Sequence, residues 1–410
     1  MSKRFLIPFF VLALTSCGGN AVSSSVNPAG LDLFFALPKS EKVESLDPTL
    51  ARRSAEKAFN DLLPAIYEMD GSGVVSPASY VLAAAGVAAV SEGMDNEAFG
   101  FKEDASKDLS DFLTAWNFEY QYKKAYGSYG TEEEYCRFDS VILHQQVGPT
   151  YHFDPAKQKE LETKYIATMR SSVADYHKDA VEFFNNKLGY KITPPDPHFS
   201  EDGLITYGAF RMKDYVPGGL GISKKLYRGE ETDAYSFGSI YYPDFLPYVK
   251  GENYSVFSID IRFTNMVIVL PDEGVAIKDV DLGAAYHQFQ AEKQTVMAVG
   301  YVPYFHANSQ SVDLTPAVAR KLNGRERFFQ KVLADDVVND LGLACVLQSS
   351  DFEFNQYGVS GESITMMAYV GAPAPEEHEV VYLEVNRPFY AISQKDGFPL
   401  FVNKVVNLRP

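Results

Sequence analysis

The chain has 410 residues, 46% hydrophobic and 22% charged, a balance that suits a globular fold with a large core. Its formal net charge of -17 excludes the clustered basic surface that a nucleic-acid partner requires. No internal repeat is visible, which excludes solenoids and propellers.

The first residues read as a processing signal. Lys3 and Arg4 precede the apolar run Phe5–Leu14, which is too short to span a bilayer. Leu14-Thr15-Ser16-Cys17-Gly18 resembles a bacterial lipobox, and that resemblance implies acylation of Cys17. Residues 1–16 are thus expected to be a lipoprotein signal peptide, 17–44 the acylated cysteine with a flexible tether, and 45–410 one folded domain. The expected location is the cell envelope: outer membrane, periplasm or extracellular face, with membrane contact through the lipid anchor only. Cys136 and Cys345 could pair or stay as free thiols.

Along the folded part, Ser54–Glu68 has apolar residues at helical spacing. A turn at Asp70–Gly73 leads to Val74-Val75-Ser76-Pro77-Ala78-Ser79, then to a small-residue helix from Tyr80. Tyr120, Tyr122, Tyr126 and Tyr129 fall in a polar loop suited to recognition. Ser140–Gln146 alternates as a strand, Asp154–Thr168 reads as a capped helix, and a helix is predicted from Lys178 to Lys187. Thr193–Pro197 breaks the chain. Strands are predicted over Leu204–Met212, Met266–Glu273, Ser363–Val370 and Val380–Val385. Helices early and strands late point to a mixed α+β domain.

Leu383–Pro410 contains Asn386-Arg387-Pro388-Phe389, a hairpin, and a last strand Leu400-Phe401-Val402-Asn403-Lys404-Val405-Val406-Asn407. This resembles the C-terminal pattern of the serpins. The order of Ser76-Pro77-Ala78-Ser79, Leu204–Lys213, Met266–Glu273, Val302–Phe305 with Val312–Leu314, and Val337–Ala344 is similar to the same family. In that frame Val337–Ala344 corresponds to a helix, and Gly208 stands where the family has Asn. The resemblance implies an α+β serpin-like single domain with three β-sheets and about eight or nine helices. It also implies a protease or peptide partner, with no cofactor and no catalysis.

Serpin inhibition is mechanical: after cleavage, part of an exposed loop enters a large sheet as a new strand. With Ser363–Val370 as the strand before the loop and Val380–Val385 after it, the candidate reactive loop is Gly371, Ala372, Pro373, Ala374, Pro375, Glu376, Glu377, His378 and Glu379. Nine extended residues reach about 30 Å. Pro373 and Pro375 cannot donate to a ladder, and four ionisable side chains follow them. The expectation is therefore a serpin-fold lipoprotein that does not inhibit. The alternatives are an active serine or cysteine protease inhibitor, and a peptide- or glycan-binding module using the tyrosine-rich loop. The family carries a histidine opposite the Ser76 and Ser79 positions, and a gapless match puts Ile364 there, giving Ser76, Ser79 and Ile364 as the sheet-gate candidates.

Weaker motifs have plainer explanations. Ser54-Ala55-Glu56-Lys57 matches S-x-x-K without its companions and fits a helix surface. Asp351, Glu353, Asn355 and Glu362 have calcium-loop spacing, but Gln356 replaces the required glycine. No nucleophile, base and orienter form a set, so no enzyme and no metal site are expected.

Overall fold

The computed structural model describes residues 48–90, 99–101, 135–145, 155–156, 159, 168–172, 175–196, 203–215, 220–261, 264–322, 327–328, 341–342, 345–361, 380–395 and 397–409. Helix α1 (Pro48–Glu68) leads to the short strand β1 (Gly73–Val75) and helix α2 (Pro77–Val90). β2 (Tyr135–Gln145) and β3 (Thr168–Ser172) precede α3 (Tyr176–Val181), which continues as a π-helical turn over Glu182–Lys187. Then come β4 (Gly203–Tyr215), β5 (Ser223–Tyr227), β6 (Glu230–Phe237), β7 (Asp244–Lys250), β8 (Tyr254–Asp260), β9 (Asn265–Pro271), α4 (Leu282–Glu292) and β10 (Gln294–Pro303). The remainder is β11 (Phe305–Asp313), α5 (Thr315–Leu322), β12 (Arg327–Phe328), β13 (Leu341–Gly342), β14 (Leu347–Asn355), β15 (Gly358–Gly361), β16 (Val380–Glu384), β17 (Phe389–Lys395) and β18 (Phe398–Val405).

α1 forms because Ala55, Ala58, Phe59, Leu62 and Ile66 share one buried stripe. α2 begins where Pro77 can take the first helical position, and Ser76 caps it by accepting from the Ser79 N–H at 3.2 Å. Asp175 and Asp281 cap α3 and α4 in the same way. The C-terminal hairpin turns at Gly397, whose φ of 82° suits a residue without Cβ. β17 and β18 are buried along their whole length, so their side chains fill the core on both faces of the sheet. Phe305, Phe352, Phe389 and Phe401 join the two large sheets through that core, with ring centroids 5.2–5.8 Å apart in successive pairs.

The expected three sheets and eight or nine helices are corrected. Among the described residues there are two large sheets, one of ten strands (β1-β18-β17-β9-β8-β7-β10-β6-β5, with β16 on β10) and one of six (β11-β14-β15-β4-β2-β3), beside which β12 and β13 make only an isolated two-residue pair. β10 is the reason two expected sheets become one. Its first half pairs with β7 over Gln294–Ala298, its second with β6 over Gly300–Pro303, and β16 runs parallel along Met297–Tyr301. One long strand therefore fuses two ladders. Among the described residues there are five α-helices, not eight or nine, plus the π turn and a 3-10 turn at Ile277–Asp279. Leu341–Gly342, expected in a helix, pairs as a strand with Arg327–Phe328. Of the helix expected at Asp154–Thr168, only residues 155, 156 and 159 are described, all helical, and Thr168 already begins β3. No described helix is long and apolar enough to cross a membrane.

Candidate functional site

The six-stranded sheet is incompletely zipped. β14 pairs with β11 along its whole length, but with β15 only over Phe352–Asn355. β4 pairs with β2 from Gly203 to Lys213, but with β15 only over Met212–Tyr215. Among the described residues, no strand lies between Leu347–Asp351 of β14 and Gly203–Arg211 of β4. A cavity of about 90 Å³ occupies that gap, edged by Thr206–Phe210 and Leu347–Asp351 and floored by Ser76, Ser79, Tyr80 and Ala83.

β15 enters this gap from one end. Asn355 makes the turn, its side-chain oxygen accepting from the Tyr357 N–H at 2.9 Å. Gly358 adopts φ 133°, a conformation open to glycine. Val359 then buries its side chain beside Phe354 and Asp214 in the cross-strand row.

The floor is polar and fully engaged. The Ser76 hydroxyl donates to the Leu400 carbonyl at 3.0 Å while accepting from Ser79. Gln348 of β14 brackets the Ser76 backbone, accepting from its N–H at 2.7 Å and donating to its carbonyl at 2.9 Å. Ser350 donates to the same Gln348 oxygen at 3.4 Å. The Ser79 hydroxyl donates to the Gly208 carbonyl at 2.7 Å. Gly208 itself lets β4 press on α2: a Cβ there would lie 2.3 Å from the Ala83 nitrogen and 2.5 Å from the Ser79 oxygen. This accounts for glycine where the family has Asn.

One wall comes from the segment after the π turn. The Tyr207 hydroxyl donates to the Pro195 carbonyl at 3.3 Å, and burial raises its phenol well above the usual range. The Arg211 guanidinium sits 4.7 Å over the Tyr190 ring and donates to the Leu188 carbonyl at 3.0 Å. On the outer face of the sheet, His306 and Asn308 of β11 meet Asp351 of β14 at 2.7 and 3.0 Å. Cys345, just before β14, is a free thiol whose pKa is raised by burial and then by Asp313.

Ser76 and Ser79, two of the gate candidates that the resemblance implies, both line this cavity. The group facing Ser76 is Gln348, which sequence inspection missed because it sought a histidine further along the chain. Ile364 lies outside the described residues, as do Cys17, the tyrosine-rich loop and the loop candidates Gly371, Ala372, Pro373, Ala374, Pro375, Glu376, Glu377, His378 and Glu379. The last described strands before these positions are β14 and β15, ending at Gly361. The apparent calcium spacing belongs to β14, where Asp351 is engaged by His306. Ser54 is buried in α1, its hydroxyl donating to the Gly100 carbonyl at 3.2 Å, rather than lying on a helix surface. Among the described residues no group of three metal-binding side chains converges.

No family model and no curated protein sequence matches the chain. Solved structures do. A cleaved serpin, Serpin 42Da, superposes with a TM-score of 0.62 at 15% identity, covering 88% of this chain and 98% of its own. Tengpin, a thermophilic serpin in its native state, gives 0.61 at 15% identity, covering 88% and 95%. Human thyroxine-binding globulin, solved with its ligand, gives 0.59 at 15% identity, covering 88% and 99%. The chain has the serpin fold.

Proposed function

We propose that this serpin-fold chain is a protease inhibitor that works by taking up its own loop as a strand. The single observation that carries this reading is the register of β15, which already occupies the first four positions between β14 and β4. Continuing that register sets Glu362 against Arg211, Ser363 against Phe210, Thr365 against Gly208 and Val370 against Gly203. Nine further residues, Glu362–Val370, would run along β4 from Arg211 to Gly203, and none is proline. Pro373 and Pro375 fall beyond the end of the gap, so they do not oppose insertion of this segment. The bait span is then the eighteen residues 362–379, twice the length expected from sequence alone.

That span contains no Lys or Arg. A trypsin-like pocket therefore finds no side chain in it, whereas Met366, Met367, Tyr369 and Val370 suit an apolar primary pocket such as that of chymotrypsin or elastase. The lipobox-like motif supports a second element of the proposal, display of this inhibitor on the cell envelope through acylated Cys17. Cys17→Ala should then move the protein from the membrane fraction to the soluble one.

The test is incubation with chymotrypsin, elastase and trypsin. An SDS-stable adduct with either of the first two, and none with trypsin, is expected. Thr365→Arg places a long charge facing the floor and should convert adduct formation into simple cleavage. Cleavage of the wild-type span by every enzyme without any adduct would return the chain to the non-inhibitory reading.

A further inference from the structure

The gap has a roof as well as a floor. Ile192, Thr193, Pro194 and Pro195 line the same cavity as the edges of β4 and β14. Tyr207 packs with Phe184, and Phe184 with Tyr190, each pair with ring centroids 5.7 Å apart. Successive residues of a strand face opposite ways, so this cluster lies on the side of β4 away from the Gly208 contact with α2. Residues 188–196 thus form a strap over the outer side of the gap, with α2 on the inner side. A strand that enters between β14 and β4 has to pass between the two.

Most of what holds the strap is insensitive to pH. The Asn185 amide donates to the Tyr190 and Ile192 carbonyls at 2.7 Å each, and Tyr207 donates to Pro195. Neither an amide nor this buried phenol changes charge near neutral pH. His177 of α3 is different. Its Nε2 lies 3.0 Å from the Pro194 carbonyl, an oxygen that only accepts, so Nε2 carries a proton. Its Nδ1 lies 3.5 Å from an Asp196 carboxylate oxygen. A neutral ring turns a lone pair toward that carboxylate. Imidazolium turns an N–H toward it, and both ring nitrogens then hold the strap. Tyr176 donates to the other Asp196 oxygen at 2.8 Å and keeps the carboxylate in place. The titratable groups that the described elements gather here are Asp175 and Tyr176 on α3, Asp196 on the strap, Tyr207 on β4 and Cys345 before β14. Both carboxylates favour a positive ring.

We propose that His177 is a proton-operated latch on the gap: its imidazolium fastens the strap through Pro194 and Asp196, and loss of the proton loosens the strap so that a strand can enter. This rests on the strand-uptake reading above and adds a condition to it. Entry is favoured in neutral or mildly alkaline surroundings and hindered in mildly acidic ones, because imidazole gains its charge as pH falls between about 8 and 5.

The test reads the strap and the uptake separately. The N–H groups of Leu188, Gly189 and Tyr190 bond to the Phe183, Asn185 and Phe184 carbonyls, and their amide exchange reports strap opening without any protease. After correction for intrinsic rates, wild-type protection should be at least about fivefold higher at about pH 5.5 than at about pH 8. His177→Gln and, independently, Asp196→Asn should remove that difference. Uptake is read as the yield of SDS-stable adduct with chymotrypsin, taken as the ratio of wild type to His177→Gln so that the protease's own pH dependence cancels. That ratio should lie well below one at the acidic pH and approach one at the alkaline pH. Equal pH dependence of strap exchange in wild type and both variants would overturn the proposal. So would an adduct ratio of one at both pH values. A flattened exchange in the variants with no adduct from any protein would uphold the latch and count against the inhibitor mechanism alone.

Discussion

Gln348 holds both sides of the Ser76 peptide group, taking its N–H at 2.7 Å and giving to its carbonyl at 2.9 Å across the floor of the gap. This ties β14 to the start of α2 through an uncharged side chain. Gln348→Ala would leave the buried Ser76 N–H unpaired, while the Ser76 carbonyl keeps the Tyr80 N–H at 3.1 Å, so a cost of about 1–3 kcal/mol is expected. Thermal unfolding should show a fall of several degrees in Tm. Gln348→His should add pH dependence to the same melt between about pH 5 and 8, where imidazole titrates, and wild type should lack that component.

Gly208→Ala tests the contact of β4 with α2. The new methyl would overlap backbone atoms of Ser79 and Ala83, which cannot swing aside as a side-chain end can. Destabilisation of about 3 kcal/mol or more is expected, read from denaturant unfolding. Gly71→Ala, where a Cβ would meet nothing within 4 Å, is the control and should be close to neutral.

Filling the gap should release stability. Successive residues of Glu362–Val370 would complete ladder bonds alternately with β14 and β4, between which no ladder is present here among the described residues. Wild type nicked by elastase within the bait span should therefore melt well above the intact chain. The Thr365→Arg variant, nicked in the same way, should melt close to its uncut form. Equal melting of cut and uncut wild type would contradict strand uptake.

Buried tyrosines set the alkaline limit. Burial raises the phenols of Tyr80, Tyr227 and Tyr390, and pushes Tyr304 up to about 12. The folded chain keeps these protons where the unfolded chain begins to lose them. Their stabilisation is therefore complete below about pH 10, the ordinary tyrosine pKa, and is lost as pH rises toward the folded value. Denaturant midpoints should fall above that pH, and phenolate absorbance should appear together with unfolding. Tyr304→Phe should flatten the decline.

The C-terminal hairpin and strands β4, β9 and β16 were legible because local patterning and tertiary burial agree there, and the body of α2 was legible from Tyr80 on, three residues after its capped start at Pro77. β14 was not. Its inner face carries Gln348 and Ser350 before Phe352 and Phe354, since the polar cap of α2 lies beneath its first half. By hydrophobicity alone Ser363–Val370 reads as the better strand, so Gln348 drew no attention. The sheet count failed for another reason: nothing local in Gln294–Pro303 tells that one strand serves three neighbours.

That sharing has a mechanical corollary. β10 is clamped along one side by both β6 and β7, whereas β16 grips the other side through five residue pairs. Tension on the arm that precedes Val380 falls on this single short seam. Such a pull loads the parallel β16–β10 seam before it reaches any other ladder described in the sheet.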